Sequence, residues 1–401
     1  MSDSTHSTSP TRRILHDNGR VVVVGGGGAM GRWAVRTAAG FAFVKDLVVA
    51  DLDARRAQEI CDEVGDPARP EQLDVTDQAR LRQVFADCDV VLNTVGPFAV
   101  FGDQILRTAI DCGCDYLDID DDWESTLAAL DSDGAARKAG VRVVKGMGAS
   151  PGVSNLLAAA AAAELDEVHE LYTGWKISGA KTDARDATTG PSAALAHWLL
   201  QSSGTIRTWE NGTWTDPAPL ARLALDLPGF GRHPVYTCGH PEPVTLARNL
   251  PVRTTSLNVM SGPEWMFRSL RAVAGRHASG SISLAEAEAE LDTARGSGAG
   301  TARDPLPPVW ALATGTVSGR KQTILTHLNG RLPGRMGGST GIPLAVGLQM
   351  LADGKIGAPG VLYPETAFEP ALFFDLLGKS MVRSPGDDRP LLSILRSEEV
   401  F

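Results

Sequence analysis

Three glycines with the spacing of a dinucleotide-binding loop follow a run of four valines near the start of the chain. Residues 21–24 are typical of a strand that is buried on both faces of a parallel sheet. The following glycines fit G-x-G-x-x-G, which permits a tight turn, close approach to a pyrophosphate and close helix packing. The alternative is a glycine-rich loop that binds no ligand. The residues predicted to bind a cofactor here are Gly26, Gly28, Ala29, Met30 and Gly31.

An acidic residue follows the glycine pattern at the position where a ribose would bind. A second apolar run, residues 47–50, ends at Asp51, twenty residues after Gly31. A carboxylate at that point accepts hydrogen bonds from the ribose hydroxyls of NAD. Strand, glycines, helix, strand and acid in this order predict a nicotinamide dinucleotide site.

Apolar strands alternate with helical segments up to about residue 150, which predicts a doubly wound parallel sheet. Residues 71–75 are predicted as one strand, with Thr76 capping the next helix, and residues 123–139 as one helix. The carboxyl ends of parallel strands share one edge, and ligands bind there. The further residues expected at this edge are Asp74, Val75, Asn93, Thr94, Val95, Gly96 and Pro97.

An acidic cluster, residues 118–124, follows the fifth predicted strand. Crowded carboxylates raise the pKa of one another and provide a proton donor, or bind a substrate amine. The alternative is a solvated helix start, where acids favour the helix dipole. Asp118 lies on the strand end itself and is a candidate catalytic residue that contacts a substrate amine; the alternative is a structural role.

His240 and Glu242 lie in a Gly-His-Pro-Glu-Pro stretch, in which two prolines stiffen the turn. A histidine is suited to proton transfer near neutral pH, so His240 is a candidate catalytic residue and Glu242 a candidate substrate-binding residue. The alternative is a rigid structural turn. Lys181, Arg185 and Thr189 precede a predicted helix and are candidates for holding a substrate carboxylate; the alternative is surface cations.

Composition narrows the classes of function. The chain has 401 residues, a formal net charge of −10 and a pI of about 5.3, which argues against nucleic-acid or membrane-surface partners. Five irregularly spaced cysteines indicate reduced thiols in a cytoplasm, and no metal site is expected. The longest apolar stretch, residues 156–163, is too short to span a bilayer.

Further motifs carry a resemblance to a known family. They are Asn93-Thr-Val-Gly-Pro-Phe98, Gly102, Tyr116-Leu-Asp118, Gly148-Ala-Ser-Pro-Gly152 with Ser154-Asn155, Gly239-His-Pro-Glu-Pro243, Thr340-Gly-Ile-Pro343 and Gly360-Val-Leu-Tyr-Pro-Glu365. With the glycine loop, they make the chain similar to the saccharopine dehydrogenase-like family of nicotinamide-dependent oxidoreductases. Together they cover most of residues 21–378.

The resemblance implies a Rossmann-type α/β domain completed by elements from the C-terminal third, and a second α+β domain whose mixed sheet often builds a dimer. We therefore divide the chain into a disordered tail (1–18), a dinucleotide-binding domain (19–150), a substrate and dimerisation domain (151–338) and a C-terminal segment returning to the first domain (339–401). The middle region by itself reads as α+β, with strands and helices intermixed.

The resemblance also implies chemistry, namely hydride transfer at a C–N bond of an amino-acid-derived substrate that bears an amine and a carboxylate. Asp51 and Asp53 repel the 2′-phosphate of NADP, which favours NAD, although Arg55 and Arg56 partly offset this and leave NADP open. One alternative is a reductase of a C=C or C=O bond in a less polar substrate. Another is a dinucleotide-binding sensor without turnover.

Overall fold

The computed structural model describes residues 18–179, 193–297 and 304–398. Its strands are β1 (Gly19–Val24), β2 (Val44–Asp51), β3 (Ala68–Gln72), β4 (Val90–Asn93), β5 (Asp115–Asp118), β6 (Arg142–Val144), β7 (Glu167–Lys176), β8 (Thr208–Glu210), β9 (Thr213–Thr215), β10 (Arg222–Leu227), β11 (Gly231–Thr237), β12 (Val252–Ser261), β13 (Val309–Val317), β14 (Arg320–Leu328), β15 (Gly360–Leu362) and β16 (Leu392–Glu398).

Helices connect and cover these strands. They are α1 (Ala29–Ala39), α2 (Ala54–Val64), α3 (Gln78–Phe85), α4 (Phe98–Asp111), α5 (Trp123–Ala128), α6 (Asp133–Ala139), α7 (Val153–Ala162), α8 (Ala193–Gln201), α9 (Glu242–Asn249), α10 (Glu264–Ala278), α11 (Leu284–Ser297), α12 (Arg335–Ala352), α13 (Pro364–Ala367) and α14 (Pro370–Gly378), with short 3-10 turns at Ala129–Ser132 and Ile177–Gly179.

The first sheet is parallel throughout and has seven strands in the order β15-β6-β5-β4-β1-β2-β3. The chain reverses its direction of winding between β1 and β4, and the carboxyl edge at such a reversal is where α/β sheets bind ligands. Register places Val24 beside Asn93 and Asn93 beside Asp118. The strands β1, β4 and β5, each followed by predicted site residues, therefore end at the same height along the sheet edge.

The second sheet is mixed. Its main order is β10-β11-β12-β7-β13-β14-β16, with β8 paired to β12 and β9 paired to β8. Only the β12–β7 pair among these described strands is parallel. The predicted fold class, a doubly wound parallel sheet with a second α+β domain carrying a mixed sheet, is confirmed.

The C-terminal segment divides between the two sheets. β15 joins the parallel sheet beside β6, whereas β16 pairs with β14 in the mixed sheet. The predicted division at residue 339 falls inside α12, which is one continuous helix. Of the predicted N-terminal tail, residues 1–17 lie outside the described residues.

Three local expectations are corrected. The third strand is Ala68–Gln72 and not residues 71–75, because this edge strand pairs only with β2. Asp77, not Thr76, caps α3 by accepting a hydrogen bond from the Arg80 N–H. The predicted helix over residues 123–139 is divided by the 3-10 turn into α5 and α6.

A glycine-lined face of α12 packs against α1 and attaches the C-terminal segment to the first domain. A Cβ atom at Gly341 would lie 2.2 Å from the Met30 carbonyl oxygen and 2.9 Å from the Trp33 Cβ. A Cβ atom at Gly334 would lie 2.1 Å from the Trp33 ring. The Trp33 side chain therefore fits only because these helix positions have no side chain.

This packing predicts opposite effects for two helix-interior glycines. Gly341→Ala should lower the free energy of unfolding by roughly 1–3 kcal/mol through overpacking. Gly275→Ala, in α10, should leave it unchanged or raise it by up to about 1 kcal/mol, because a Cβ there meets no atom within 4 Å. Denaturant unfolding of both variants measures this. Equal stability of the two would contradict the α1–α12 packing.

Candidate active site

The glycine loop has the geometry that a bound pyrophosphate needs. Gly25 has φ +77°, and Gly28 precedes the first turn of α1 as its N-cap. A Cβ atom at Gly31 would lie 2.1 Å from the Gly25 carbonyl oxygen, and one at Gly26 would lie 2.6 Å from the Val49 side chain. At Gly28 such an atom would have one neighbour within 4 Å, the Gly25 carbonyl oxygen at 3.2 Å, so this position borders open space.

Asp51 lies directly against this loop. Its Oδ2 accepts a hydrogen bond from the Gly27 N–H at 3.0 Å, and its Oδ1 accepts one from the Asp53 N–H at 3.0 Å. Arg55 and Arg56 both lie near the Asp53 carboxylate, with N–O distances of 3.7 and 3.5 Å. The predicted acid and the glycine loop thus form one unit, with two arginines beside it.

The segment after β4 is hydrogen-bonded to the start of the glycine loop. The Thr94 hydroxyl donates to the Val24 carbonyl at 2.9 Å, and also lies 3.1 Å from the Gly25 carbonyl. The buried Asn93 accepts from the Val95 N–H and donates to the Tyr116 hydroxyl, both at 2.9 Å. The structure therefore brings this segment, with Gly96 and Pro97 following it, beside the loop as the sequence predicts.

Asp74 and Val75 have local roles in the structure. The Asp74 carboxylate accepts hydrogen bonds from the Thr76 N–H and hydroxyl, which lower its pKa. The Val75 carbonyl accepts a hydrogen bond from the Gln104 side chain. Asp74 is exposed and organises the turn before α3.

Asp118 is held entirely by the protein. It is 0% exposed, and its Oδ2 accepts from Lys145 Nζ at 2.5 Å and from the Tyr116 hydroxyl at 3.0 Å. Its Oδ1 accepts from the Gly146 N–H at 2.7 Å and from the Asp120 N–H at 3.1 Å. Both oxygens of this carboxylate accept from protein groups, so Asp118 orders the sheet edge; its predicted contact with a substrate amine stays a prediction.

Lys145 is a member of this cluster that the sequence analysis missed. Its Nζ also lies 2.7 Å from Asp120 Oδ2. Burial lowers the pKa of the Lys145 ammonium, but Asp118 and Asp120 outweigh burial and raise it, so Lys145 is a cation. A lysine immediately after a buried strand was the available signal, since a lysine is rarely buried without a partner.

His240 comes close to the carboxyl edge of the parallel sheet through Ser150 and Glu242. His240 Nδ1 lies 3.3 Å from Glu242 Oε2 and 3.4 Å from the Ser150 hydroxyl. Ser150 follows β6, at the carboxyl edge of the parallel sheet, and its hydroxyl also donates to Glu242 Oε1. The histidine of the second domain and the sheet edge of the first are thus brought together.

Glu242 is the carboxylate that orients His240. Glu242 is 0% exposed, and its Oε1 accepts from the Ser154 hydroxyl at 2.8 Å and from Asn258 Nδ2 at 3.0 Å. Burial raises its pKa, but His240 and the hydrogen bonds from Ser150 and Ser154 outweigh burial and lower it. Protein donors occupy Oε1, whereas Oε2 is buried and faces His240, so the predicted contact of Glu242 with substrate stays a prediction.

The His240 ring has one open nitrogen. The residue is 4% exposed, and its ring packs on Trp175 with centroids 5.5 Å apart. The ring contacts above are made through Nδ1, and among the described residues Nε2 has no hydrogen-bond partner. A proton on Nδ1, shared with Glu242, leaves Nε2 available for proton exchange with a bound molecule.

A second buried histidine, His197, was also missed. Its Nδ1 lies 3.1 Å from Asp121 Oδ2 and 2.8 Å from Gln201 Nε2. Burial lowers its pKa, but Asp121 and then Asp122 outweigh burial and raise the pKa to about 9. His197 and Gln201 are polar residues four apart on an otherwise apolar helix, which places them on one face and was the available signal.

Three predicted substrate-binding residues, Lys181, Arg185 and Thr189, lie outside the described residues. Within the described ranges, no group of three or more His, Cys, Asp or Glu side chains is arranged to hold a metal ion. None of the helices in the described part of the chain combines the length and the apolar character that crossing a membrane requires.

Part of the chain is similar to one family of known proteins. Residues 21–144 match the family model of the saccharopine dehydrogenase NADP-binding domain. A stretch of 111 residues is 31% identical to a probable mitochondrial saccharopine dehydrogenase-like oxidoreductase of Arabidopsis thaliana, covering 25% of this chain and 24% of that protein. The match thus spans about a quarter of the length of the curated relative.

A solved structure shares the whole fold. Apo saccharopine dehydrogenase (L-Glu forming) from Saccharomyces cerevisiae superposes with a TM-score of 0.62 and 16% sequence identity, covering 96% of this chain and 100% of that one. At this identity the likeness concerns the fold. With the family-model match, it confirms the predicted resemblance.

The His197–Asp121 pair predicts a specific pH dependence of stability. The pKa of His197 is raised from 6.5 to about 9, so the stabilisation is fully present below pH 6.5 and is lost as the pH rises to 9. The stability difference between the wild type and His197→Gln should therefore shrink over this range, by an amount on the order of 1–3 kcal/mol. Denaturant unfolding at several pH values measures it, with His169→Gln, on β7, as control. A difference that is independent of pH would contradict the ion pair.

Proposed function

Because residues 21–144 belong to the family of saccharopine dehydrogenase NADP-binding domains, we propose that the chain is an NAD(P)-dependent oxidoreductase acting on a C–N bond. The reaction is reduction of an imine, or oxidation of a secondary amine, in an amino-acid-derived substrate. The observation that carries this proposal is His240, which is buried, oriented by Glu242 and open at Nε2, beside the loop that follows β6.

The residues at the sheet edge fit a nicotinamide dinucleotide. Gly26 and Gly31 admit no Cβ, while Gly28 borders open space at the start of α1, where backbone N–H groups favour a pyrophosphate. In this proposal, Asp51 accepts hydrogen bonds from the ribose hydroxyls, and the segment from Asn93 to Pro97 contacts the nicotinamide half. When bound, the cofactor supplies or accepts the hydride.

His240 is proposed as the proton relay for this hydride transfer. Reduction of a C–N double bond adds a hydride at carbon and a proton at nitrogen, so a group that exchanges protons near pH 7 must stand beside the substrate. Glu242 stays ionised and holds Nδ1, which fixes the ring and makes Nε2 the exchanging atom.

One observation favours the second candidate, reduction of a C=C or C=O bond in a less polar substrate. Trp175 packs on His240, and Trp198 lies 5.7 Å from Trp175 between ring centroids, so one side of the histidine is aromatic. A screen of amine and keto-acid pairs with NADH, followed by nicotinamide absorbance and product mass, tests the first proposal. Turnover of carbonyl or enoyl compounds alone would favour the second, and cofactor binding without turnover would favour a sensor.

A homodimer and a cytoplasmic location belong to the same proposal. The dimer is supported by the mixed sheet of the second domain, which the family resemblance connects with dimerisation. The cytoplasmic location is supported by five unpaired cysteines. The Arabidopsis relative is named mitochondrial, so a location inside an organelle is the outcome to test against.

We expect NAD to bind more tightly than NADP. The Asp51 carboxylate lies beside the loop and repels a 2′-phosphate, and Arg55 and Arg56 are partly neutralised by Asp53. Fluorescence titration with NADH and NADPH measures the preference, and Asp51→Ala should reduce it. Equal or tighter binding of NADPH by the wild type would show that the two arginines outweigh the carboxylate.

His240→Gln should lower turnover about tenfold or more while NADH affinity stays nearly intact, because the change removes a proton-exchanging group and not a cofactor contact. His169→Gln, at a half-exposed site on β7, is the matched control and should leave turnover unchanged. Steady-state kinetics on the pair found by the screen give the result. Normal turnover in His240→Gln would remove the histidine from the proposed mechanism.

A further inference from the structure

Among the four aspartates of the acidic cluster after β5, one has a carboxylate that stays accessible. Asp118 and Asp120 are paired with the buried Lys145. Asp122 caps α5 by accepting from the N–H groups of Glu124 and Ser125. These three acids are committed to the structure of the sheet edge and of the helix start.

Asp121 differs from them in its surroundings. Its side chain is 36% exposed, whereas the side chain of His197 against it is 7% exposed. Oδ2 lies 3.1 Å from His197 Nδ1, and the backbone carbonyl of Asp121 accepts from Gln201 Nε2 at 2.8 Å. No other described residue donates a hydrogen bond to the carboxylate. The Asp121 side chain is thus positioned by α8 of the second domain and still accessible.

Asp121 and His240 lie near the same space. Gln201 connects them, since its side chain donates to the Asp121 carbonyl and its own carbonyl accepts from the N–H of Gly239 at 3.2 Å. Desolvation raises the pKa of the Asp121 carboxylate, but His197 and, to a lesser extent, His240 outweigh desolvation and lower the pKa. The buried histidine with its open Nε2 therefore marks a ligand position beside this carboxylate.

The charges around this position favour a cation. Three carboxylates lie here, Asp121, Asp122 and Glu242. Two histidines face them, His197 beside Asp121 and Asp122 and His240 beside Glu242, so the carboxylates outnumber the groups that can balance them. The groups that surround Glu242 besides His240 are neutral hydroxyls and an amide. One positive charge on a bound molecule would reduce the remaining negative excess in a site of low polarity.

We infer that Asp121 binds the positively charged nitrogen of the substrate, an ammonium or iminium group, between itself and His240. This inference rests on the proposed function and deepens it, because it assigns the substrate's cationic group to a residue. Asp118, which the sequence analysis gives as a candidate for that contact, is paired with Lys145 at the sheet edge that precedes Asp121. His197 acts as a positioning residue for Asp121.

Binding of a simple cation tests the inference without the natural substrate. The NAD⁺-loaded protein is titrated calorimetrically at pH 7.5 with n-butylamine, which is protonated at this pH, and with 1-butanol, which has a similar shape and no charge. The wild type should prefer the amine. Asp121→Asn should weaken amine binding about tenfold or more and leave the alcohol unaffected.

Two further variants separate a charge contact from a structural effect. Asp121→Glu should keep most of the preference for the amine, because it keeps the charge. Asp103→Asn, at an exposed site on α4, makes the same change in net charge and should leave the preference unchanged.

The inference is overturned if the wild type binds the amine no better than the alcohol, or if Asp121→Asn weakens both probes alike. Failure of the proposed function looks different, because it appears as absence of turnover in the substrate screen or of NADH binding by the wild type. The two results are obtained in separate measurements.

Discussion

The buried carboxylate of Glu242 contacts residues of both domains and fixes their relative position. A buried charge is costly unless protein groups replace its water. Glu242 obtains those groups from Ser150 after β6, Ser154 on α7 and Asn258 on β12, and its second oxygen faces His240. Satisfying one charge therefore fixes the loop after β6, the turn before α9 and the mixed sheet relative to one another. The open nitrogen of His240 is a consequence of this arrangement.

The elements of the fold that can be predicted from the sequence are those whose local hydrophobic pattern agrees with the burial of their side chains. Residues 21–24 and the glycines after them are buried strand and tight turn, as predicted. β3 has the sequence ARPEQ, which shows no apolar pattern. It lies at the edge of the parallel sheet and pairs with β2. β15 and β16 are likewise defined by partners more than 60 residues away in sequence, β6 and β14, and short-range patterns carry no information on such pairing.

In the candidate site, the residue types and the shared edge were predictable, but the pairing of side chains was not. The parallel topology places Asp51, Asn93 and Asp118 at one edge whatever their partners are. Whether a carboxylate there is accessible to a ligand depends on residues that are distant in sequence. Lys145 pairs with the buried Asp118, whereas the Asp121 side chain, which contacts α8, stays accessible. The donors to Glu242 are unpredictable from the sequence for the same reason, since both serines lie about 90 residues earlier in the chain.

The most direct measurement of the central claim is a crystal structure of the protein with NADH bound. The account predicts the pyrophosphate over Gly28 at the start of α1, the ribose at Asp51, and His240 Nε2 within about 10 Å of the nicotinamide C4, the reach of a substrate atom and one bridging water. A nicotinamide ring at a clearly greater distance from His240, or a dinucleotide bound away from the glycine loop, would contradict it.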